Sequence, residues 1–314
     1  MEINDLIFKE LIKRGYSLEG NTRVWNIADS KLWYLTPEQA QGFLDLEQGK
    51  LYQKEIIQKE IDLVNSNMPE IIKELQGKKS LNIIDLGCGD GKKAVLFIGN
   101  LKDKIQLRYC PIDISGYMVA KAIELIKKLN VGEVVEFQWN ISDFENLENI
   151  STLLRNKEYS KNLVLLLGNT LGNFEINELL YSVKSSMKPG DYLLIGNGLD
   201  NRHYDEIVKS YKESTVDKWL FKIIQQIGLD RKDIDFGVRF RNSRVELYYT
   251  LNTDKKVSFQ DKHIYFSKGD QIVVAVSYKY SKDEFEEFMH LYFDRVKTFV
   301  SKDKSYALVM CGSK

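Results

Sequence analysis

Leu81-Asn-Ile-Ile-Asp-Leu-Gly-Cys-Gly-Asp-Gly-Lys-Lys93 passes from a mostly apolar run, closed by an acid, into three glycines at every second position. The pattern predicts a buried strand that turns tightly into the start of a helix. Gly87, Gly89 and Gly91 accept backbone conformations that a Cβ opposes, and they let a ligand approach the main chain. The first N–H groups of the helix that follows favour an anionic group there.

Two kinds of cofactor suit such a turn. A dinucleotide site requires Gly-x-Gly-x-x-Gly, with a pyrophosphate over the turn. Here the spacing is Gly-x-Gly-x-Gly, and Lys92 stands where the third glycine should be. Asp85, just before the turn, would repel a pyrophosphate but could accept from an ammonium group. S-adenosylmethionine (SAM) carries an ammonium, a carboxylate and a sulfonium, and no phosphate. Asp85-Leu-Gly-Cys-Gly-Asp-Gly91 resembles the first motif of class I SAM-dependent methyltransferases.

The 314 residues are enough for one large domain or two smaller ones. Lys+Arg and Asp+Glu balance at 45 each, so the chain lacks the basic excess that a phosphate backbone attracts, and nucleic acid is not an expected partner. Apolar runs are short, such as Leu163 to Leu167, and no membrane span is expected. The acidic start, Met1-Glu-Ile-Asn-Asp, has no signal-peptide core. Cys88, Cys110 and Cys311 are widely spaced, which argues against a disulfide frame or a structural zinc site. A cytoplasmic setting is the simplest expectation, and no metal is expected, because His203, His263 and His290 are too isolated for ligand spacing.

A helical period covers 53–76. Strands are then expected at 81–86, 105–112, 133–139, 162–167 and 192–195, with helices at 91–102, 115–129, 146–155 and 175–187 between them. Alternating strands and helices predict a parallel, doubly wound α/β sheet with ligands beyond the carboxyl ends of its strands. After residue 196 the pattern changes: 205–227 reads as helical and 238–279 as antiparallel strands. A helix at 281–293 and strands at 295–300 and 305–311 would complete the first sheet.

Chemistry-bearing residues gather at the expected strand ends. Asp113, in Pro111-Ile-Asp-Ile-Ser115, can accept from both hydroxyls of a ribose, while Ser115 caps the next helix. Asp143-Phe144 follows the third strand. It reads either as an acid for an adenine amino group beside a stacking ring, or as a loop acid next to a core phenylalanine. The fourth strand ends in Leu167-Gly-Asn-Thr-Leu-Gly-Asn-Phe174. Gly168 opens this turn, and Asn173 offers a carbonyl to an amine and an NH2 group to a carboxylate.

Taken together, these motifs resemble the histidine-specific, or ergothioneine-pathway, Nα-methyltransferases that act on free amino acids. The matching pieces are Asp85–Lys93, Pro111–Ser115, Ser142-Asp-Phe-Glu145 and, most specifically, Leu167–Phe174; Arg244-Val-Glu-Leu247 and Val276-Ser-Tyr-Lys-Tyr280 are weaker echoes. The resemblance implies a Rossmann-like catalytic domain of residues 61–195 plus 279–314. An α+β substrate domain of 1–60 plus 196–278 would accompany it. It implies that Gly87, Lys93, Asp113, Asp143 and Phe144 hold SAM, with Asp85, Gly89 and Gly168 beside them. Asn173 and Tyr52 would grip the amine and carboxylate of the acceptor, with Tyr34 as a second substrate tyrosine.

The chain departs from the family where the acceptor's side chain would be read. Ala275, in Val274-Ala-Val-Ser277, stands where an imidazole-binding glutamate is expected, next to Ser277. Leu247-Tyr248 replaces the usual Met-His. An apolar lining at Leu247 and Ala275 favours an uncharged side chain, since an unpaired buried polar group is costly. Histidine is therefore not the expected acceptor. The implied reaction is attack of a neutral amine on the SAM methyl, which requires alignment and desolvation more than acid–base groups. A protein or oxygen acceptor, a catalytically silent SAM-binding subunit and an NAD enzyme are the alternatives.

Overall fold

The computed structural model describes residues 4–75, 77, 79–199 and 204–313. Helix α1 (Asp5–Arg14) begins where Asn4 accepts from the Leu6 and Ile7 amides. β1 (Ser17–Glu19) and β2 (Thr22–Asn26) pair as a hairpin, and α2 (Pro37–Glu47) follows with proline at its first position. α3 (Lys50–Tyr52) passes through a π-helical turn at Gln53–Ile57 into α4 (Gln58–Glu74). The single helix expected over 53–76 thus carries a wide turn immediately after Tyr52, a distortion that often marks functional positions.

The expected alternation follows. β3 (Ser80–Leu86), α5 (Lys92–Leu101), β4 (Gln106–Ile112), α6 (Gly116–Lys127) and β5 (Glu133–Val134) lead to α7 (Leu147–Leu154) and β6 (Asn162–Leu166). α8 (Ile176–Ser186) and β7 (Tyr192–Gly198) come next. The third strand is two residues long rather than the seven expected, and the cause lies in its neighbour. Pro111 of β4 has no N–H to offer an outer strand, and its carbonyl accepts instead from Asn140 Nδ2 at 2.6 Å. The chain turns inward at Gln138–Asn140 in place of continuing the ladder.

The inserted segment contains α9 (Tyr204–Tyr211), α10 (Ser214–Gln225), β8 (Ile234–Arg241), β9 (Arg244–Leu251), β10 (Lys255–Phe259), β11 (Lys262–Phe266) and β12 (Gln271–Tyr278). The helix expected over 205–227 is therefore two helices. α11 (Lys282–Tyr292), whose Ser281–Glu284 capping box closes its N-terminus, precedes β13 (Arg295–Val300) and β14 (Tyr306–Gly312).

The chain forms two units. One comprises residues 47–199 and 280–313; the other comprises 4–46 and 204–279. Residues 47–60, grouped on sequence with the N-terminal segment, fall in the first of these. Its seven-stranded sheet runs β13-β14-β7-β6-β3-β4-β5, parallel from β7 to β5 and antiparallel at β14 and β13. The strand order reverses beside β3, where the chain first moves out to β4 and later returns to β6, and such a reversal opens a crevice at the carboxyl ends. Ile83, Leu163, Leu165, Leu194 and Leu308 pack under α4 and α5 with Ile71, Phe97 and Ile98. The second unit holds the sheet β1-β2-β12-β9-β8 and the hairpin β10-β11, over a core of Phe8, Trp33, Trp219, Ile223, Leu247 and Ile272. No described helix is long and apolar enough to cross a membrane.

Candidate active site

The three glycines after β3 all have left-handed backbone angles: φ is +65° at Gly87, +52° at Gly89 and +80° at Gly91. A Cβ at Gly91 would lie 2.9 Å from the Ala122 Cα, so glycine here lets the turn seat against α6. A Cβ at Gly89 would meet no atom within 4 Å, so this glycine answers to its backbone angle and to the open space above it. The Gly87 and Cys88 amides donate to the Ile112 carbonyl at 2.8 and 3.2 Å, which fastens the turn to the end of β4.

Asp113 links this turn to the next helix. Its Oδ2 accepts from the Gly89 amide at 3.1 Å and its Oδ1 from the Ser115 amide at 3.0 Å. Burial raises its pKa, and the amides of Ser115, Gly89 and Ile114 oppose that rise. This corrects one expectation: Ser115 occupies the cap position of α6 but makes no side-chain capping bond. Asp113 itself accepts the Ser115 amide, as an Asx turn would, and its carboxylate has acceptor capacity beyond the amides that hold it.

The other strand-end motifs converge on the same edge. The Ser142 amide donates to the Asp113 carbonyl at 3.0 Å, which brings Asp143 and Phe144 alongside. Asp143 Oδ1 accepts from the Glu145 amide at 3.2 Å, and the Phe144 ring packs 5.1 Å from Phe174. From the far side of β3, Thr170 Cγ2 comes within 3.0 Å of where a Gly87 Cβ would stand. Asn169 takes a left-handed angle and accepts from the Gly198 amide at 2.8 Å, so the turn after β6 is tied to β7. Asn173 ends the short helix Thr170–Asn173, and among the described residues nothing engages its side-chain amide.

Beneath this edge lies a buried polar cluster whose acids the sequence did not reveal. Glu60 of α4 is 2% exposed; its oxygens accept from the Gly168 amide at 2.9 and 3.1 Å, and its Oε1 from Tyr306 Oη at 2.6 Å. Lys93, at the start of α5, pairs with Glu47 at 2.9 Å. Burial pulls the Lys93 pKa down, but the negative potential of Glu47, Tyr52 and Glu60 more than offsets it, and the ammonium titrates above its usual range. Burial drives Glu60 upward against the opposing pull of Lys93. Two glycines make room for these charges: a Cβ at Gly168 would collide with Lys93 Nζ, and one at Gly196 with Glu60 Oε1. A strand that breaks its apolar run at Gly196 was the available sign of a side chain crossing over it.

Asp85 is 3% exposed and accepts from Tyr109 Oη at 2.7 Å. Burial, only partly countered by that bond, pushes its pKa up to about 6. Below about pH 3 the group is protonated in both folded and unfolded chains and has no effect on stability. As pH rises toward 6 the unfolded chain ionises first, so stability falls, by about 3 kcal/mol once both are charged. Asp85→Asn should therefore match wild type near pH 3 and be more stable by up to about 3 kcal/mol at pH 8 in denaturant melts. Equal or lower stability at pH 8 would show that the carboxylate is not strained.

Tyr34, Leu247, Ala275 and Ser277 belong to the other unit. Tyr34 packs against Phe43 and Trp219, with ring centroids 5.3 and 6.0 Å away. Leu247 and Ala275 are register partners across β9 and β12, next to a bulge between Val273 and Ala275, and both are buried in the apolar core. Ser277 Oγ accepts from Tyr211 Oη at 2.9 Å and from Lys279 Nζ at 3.1 Å, two partners the sequence did not indicate. His263 and His290 are exposed, and His203 lies outside the described residues. All three cysteines are buried free thiols.

Residues 51–313 match the family model described as histidine-specific methyltransferase, SAM-dependent. The chain belongs to this family. It is a SAM-dependent methyltransferase with the α/β fold of the class I enzymes, and SAM is its cofactor. No curated protein sequence matches it significantly. Among solved structures it is similar to the PH0226 protein of Pyrococcus horikoshii OT3, with 16% identity and a TM-score of 0.46 over 89% of this chain and 100% of that one. It is also similar to DesVI of Streptomyces venezuelae, with 13% identity and a TM-score of 0.38 over 90% and 100%. A DhpI–SAH complex gives 12% identity and 0.39 over 88% and 96%. These likenesses are too distant to carry an argument, and the assignment rests on the family match.

The residues on this edge fit the cofactor. A carboxylate with lone pairs to spare, an open glycine turn and an acid–aromatic pair lie together, as a diol, an amino-acid end and an adenine require.

Proposed function

We propose that the enzyme methylates the amine of an amino acid or a related small molecule, and that histidine is not its preferred acceptor. SAM supplies an electrophilic methyl on its sulfonium; the chain supplies alignment and a dry site. In this reading Asp113 holds the ribose diol, and Asp143 and Phe144 hold the adenine. Asp85, Gly87, Gly89, Lys93 and Gly168 receive the amino-acid end of the cofactor. Asn173 and Tyr52 orient the amine of the acceptor. Tyr34, Leu247, Ala275 and Ser277 are assigned to recognition of its side chain.

One observation carries the proposal: the Asn173 amide is unengaged among the described residues, on the same edge as the glycine turn and Asp113. Such an amide accepts from an amine and donates to a carboxylate at once. The doubt about histidine rests on Ala275, which brings no charge to an imidazole, and on its apolar partner Leu247. Losing one charge-assisted bond corresponds to about 1.5–3 kcal/mol, or roughly ten- to a hundredfold in discrimination. A panel of free amino acids and small amines, followed by release of S-adenosylhomocysteine, tests this. Histidine should turn over at under about a tenth of the kcat/KM of the best acceptor. Histidine as the best acceptor would overturn the specificity, and turnover only with protein or hydroxyl acceptors would overturn the reading altogether.

A further inference from the structure

Glu47, the last residue of α2, brings a carboxylate to the catalytic edge with one oxygen to spare. Its Oε1 accepts from Lys93 Nζ at 2.9 Å, whereas its Oε2 accepts from no described residue. The side chain is 13% exposed, so this oxygen is sheltered but still within reach of a small molecule.

The backbone fixes where the carboxylate stands. Gln53 Nε2 donates to the Glu47 carbonyl at 2.7 Å and the Gln53 amide to the Gly49 carbonyl at 2.9 Å. Residues 47–53 therefore close into a loop that starts at Glu47 and carries Tyr52. The Lys93 ammonium lies against Gly168, where a Cβ would collide with it, and the negative potential of Glu47 and Tyr52 acts on that ammonium. Glu47, Tyr52, Lys93 and Gly168 thus meet at one corner of the edge, and all four belong to the sheet unit.

The methyl transfer needs somewhere to put a proton. An ammonium must lose one proton to water to become a nucleophile, and the nitrogen must lose a second as it takes the methyl group. The acids around the edge differ in their freedom to receive it. Asp85 and Glu60 are sealed, at 3% and 2% exposed, and are bonded to Tyr109 and Tyr306. Asp113 and Asp143 are assigned to the ribose and the adenine. Of these five acids, Glu47 alone combines access with an oxygen that has no role yet.

We propose that Glu47 is the proton acceptor of the methyl transfer. The proposal rests on the reading of the enzyme as an amine methyltransferase and adds the catalytic residue that reading lacks. Glu47 Oε2 accepts from an N–H of the neutral amine beside Asn173 and Tyr52. The nitrogen lone pair forms the bond to the methyl carbon, and the electron pair of the C–S bond passes to sulfur. The N–H bond breaks, and its proton joins Glu47 Oε2. A sulfonium and a carboxylate are consumed, a thioether and a carboxylic acid are formed, and the net charge is unchanged. The acid then returns its proton to water. Lys93 occupies Oε1 throughout and leaves Oε2 as the oxygen for the substrate.

Glu47→Gln gives the test, because the amide oxygen still accepts from Lys93 but takes no proton. With the best amine of the acceptor panel, its kcat should fall by at least about a hundredfold, the lower end of what a positioned base contributes. Its affinity for S-adenosylhomocysteine should stay within about fivefold of wild type, the signature of an interaction made in the transition state. Glu47→Asp should recover part of the loss. Formate should restore part of the kcat of Glu47→Ala and add nothing to wild type. A Glu47→Gln kcat within about tenfold of wild type would overturn the proposal. So would a larger change in S-adenosylhomocysteine affinity in either direction, since the carboxylate would then be serving the cofactor or competing with it for Lys93.

A second readout needs no turnover. Ethylammonium, a cation with no carboxylate of its own, should raise the melting temperature of the wild type saturated with S-adenosylhomocysteine beyond the shift given by sodium, and should not do so for Glu47→Gln. Should no amine be methylated at all, the functional reading fails, while this difference still sustains Glu47 as the group that receives an amine. Equal shifts in the two proteins, or none in either, would overturn it.

Discussion

Glu60→Ala is expected to destabilise the enzyme by about 3–5 kcal/mol, the range for removing one member of a buried charged network. The substitution leaves the Gly168 amide and the Tyr306 hydroxyl without the carboxylate that accepts from both, and each such buried donor costs about 1–3 kcal/mol. It also withdraws a negative charge from Lys93, whose remaining acidic partner is Glu47 among the described residues. The space over Gly196 becomes a void, since the glycine has no side chain to fill it. Glu60→Gln should cost less, about 1–2 kcal/mol, because the amide oxygen can still accept from both the Gly168 amide and the tyrosine, as Oε1 does, while the charge opposite Lys93 is lost. Denaturant unfolding at neutral pH measures both values. A Glu60→Ala protein within about 1 kcal/mol of wild type would mean that the cluster contributes little to holding the turn after β6.

Asp113→Ala should weaken S-adenosylhomocysteine binding by at least a hundredfold. Two hydroxyl donors to one carboxylate contribute on the order of 1.5–3 kcal/mol each, or about 3–6 kcal/mol together. The carboxylate also holds the Gly89 and Ser115 amides, so its removal loosens the glycine turn as well. Asp113→Asn separates these effects. An amide oxygen still accepts, but the charge is gone, and a loss nearer tenfold is expected. Calorimetric titration gives both constants. Binding by Asp113→Ala within threefold of wild type would move the ribose elsewhere.

Much of the sheet unit was legible because its signals are local. The apolar runs of β3, β4, β6 and β7 are each closed by glycine, acid or amide within a few residues, and a strand between two helical layers has to read that way. The shortness of β5 was not legible in β5 itself. Its cause is Pro111, a residue of the neighbouring strand that withholds one hydrogen bond. Glu60 was missed for a similar reason. Gln58-Lys-Glu60 reads as the wet face of a helix, and what makes that acid a buried acceptor is Gly168, Gly196 and Tyr306, all more than a hundred residues away.

Around the candidate site, the glycine turn and Asp113 follow β3 and β4 directly, and reading those strands located them on the chain; Asp143 and Phe144 come nine residues after the short β5, and what brings them to the edge is the bond from the Ser142 amide to the Asp113 carbonyl. Lys279 was missed because Ser277-Tyr-Lys-Tyr280 alternates like an ordinary surface strand, and nothing in that pattern shows that the lysine is covered. The β1–β2 hairpin escaped notice because three- and five-residue strands carry too few alternations to stand out.

A crystal of the enzyme grown with S-adenosylhomocysteine addresses the placement of the cofactor most directly. Density should run along the carboxyl edge of β3 and β4, with the ribose hydroxyls on Asp113, the adenine beside Asp143 and Phe144, and the amino-acid end over Gly87 and Gly89. An empty edge, with the molecule bound elsewhere or with its sugar away from Asp113, would contradict the account.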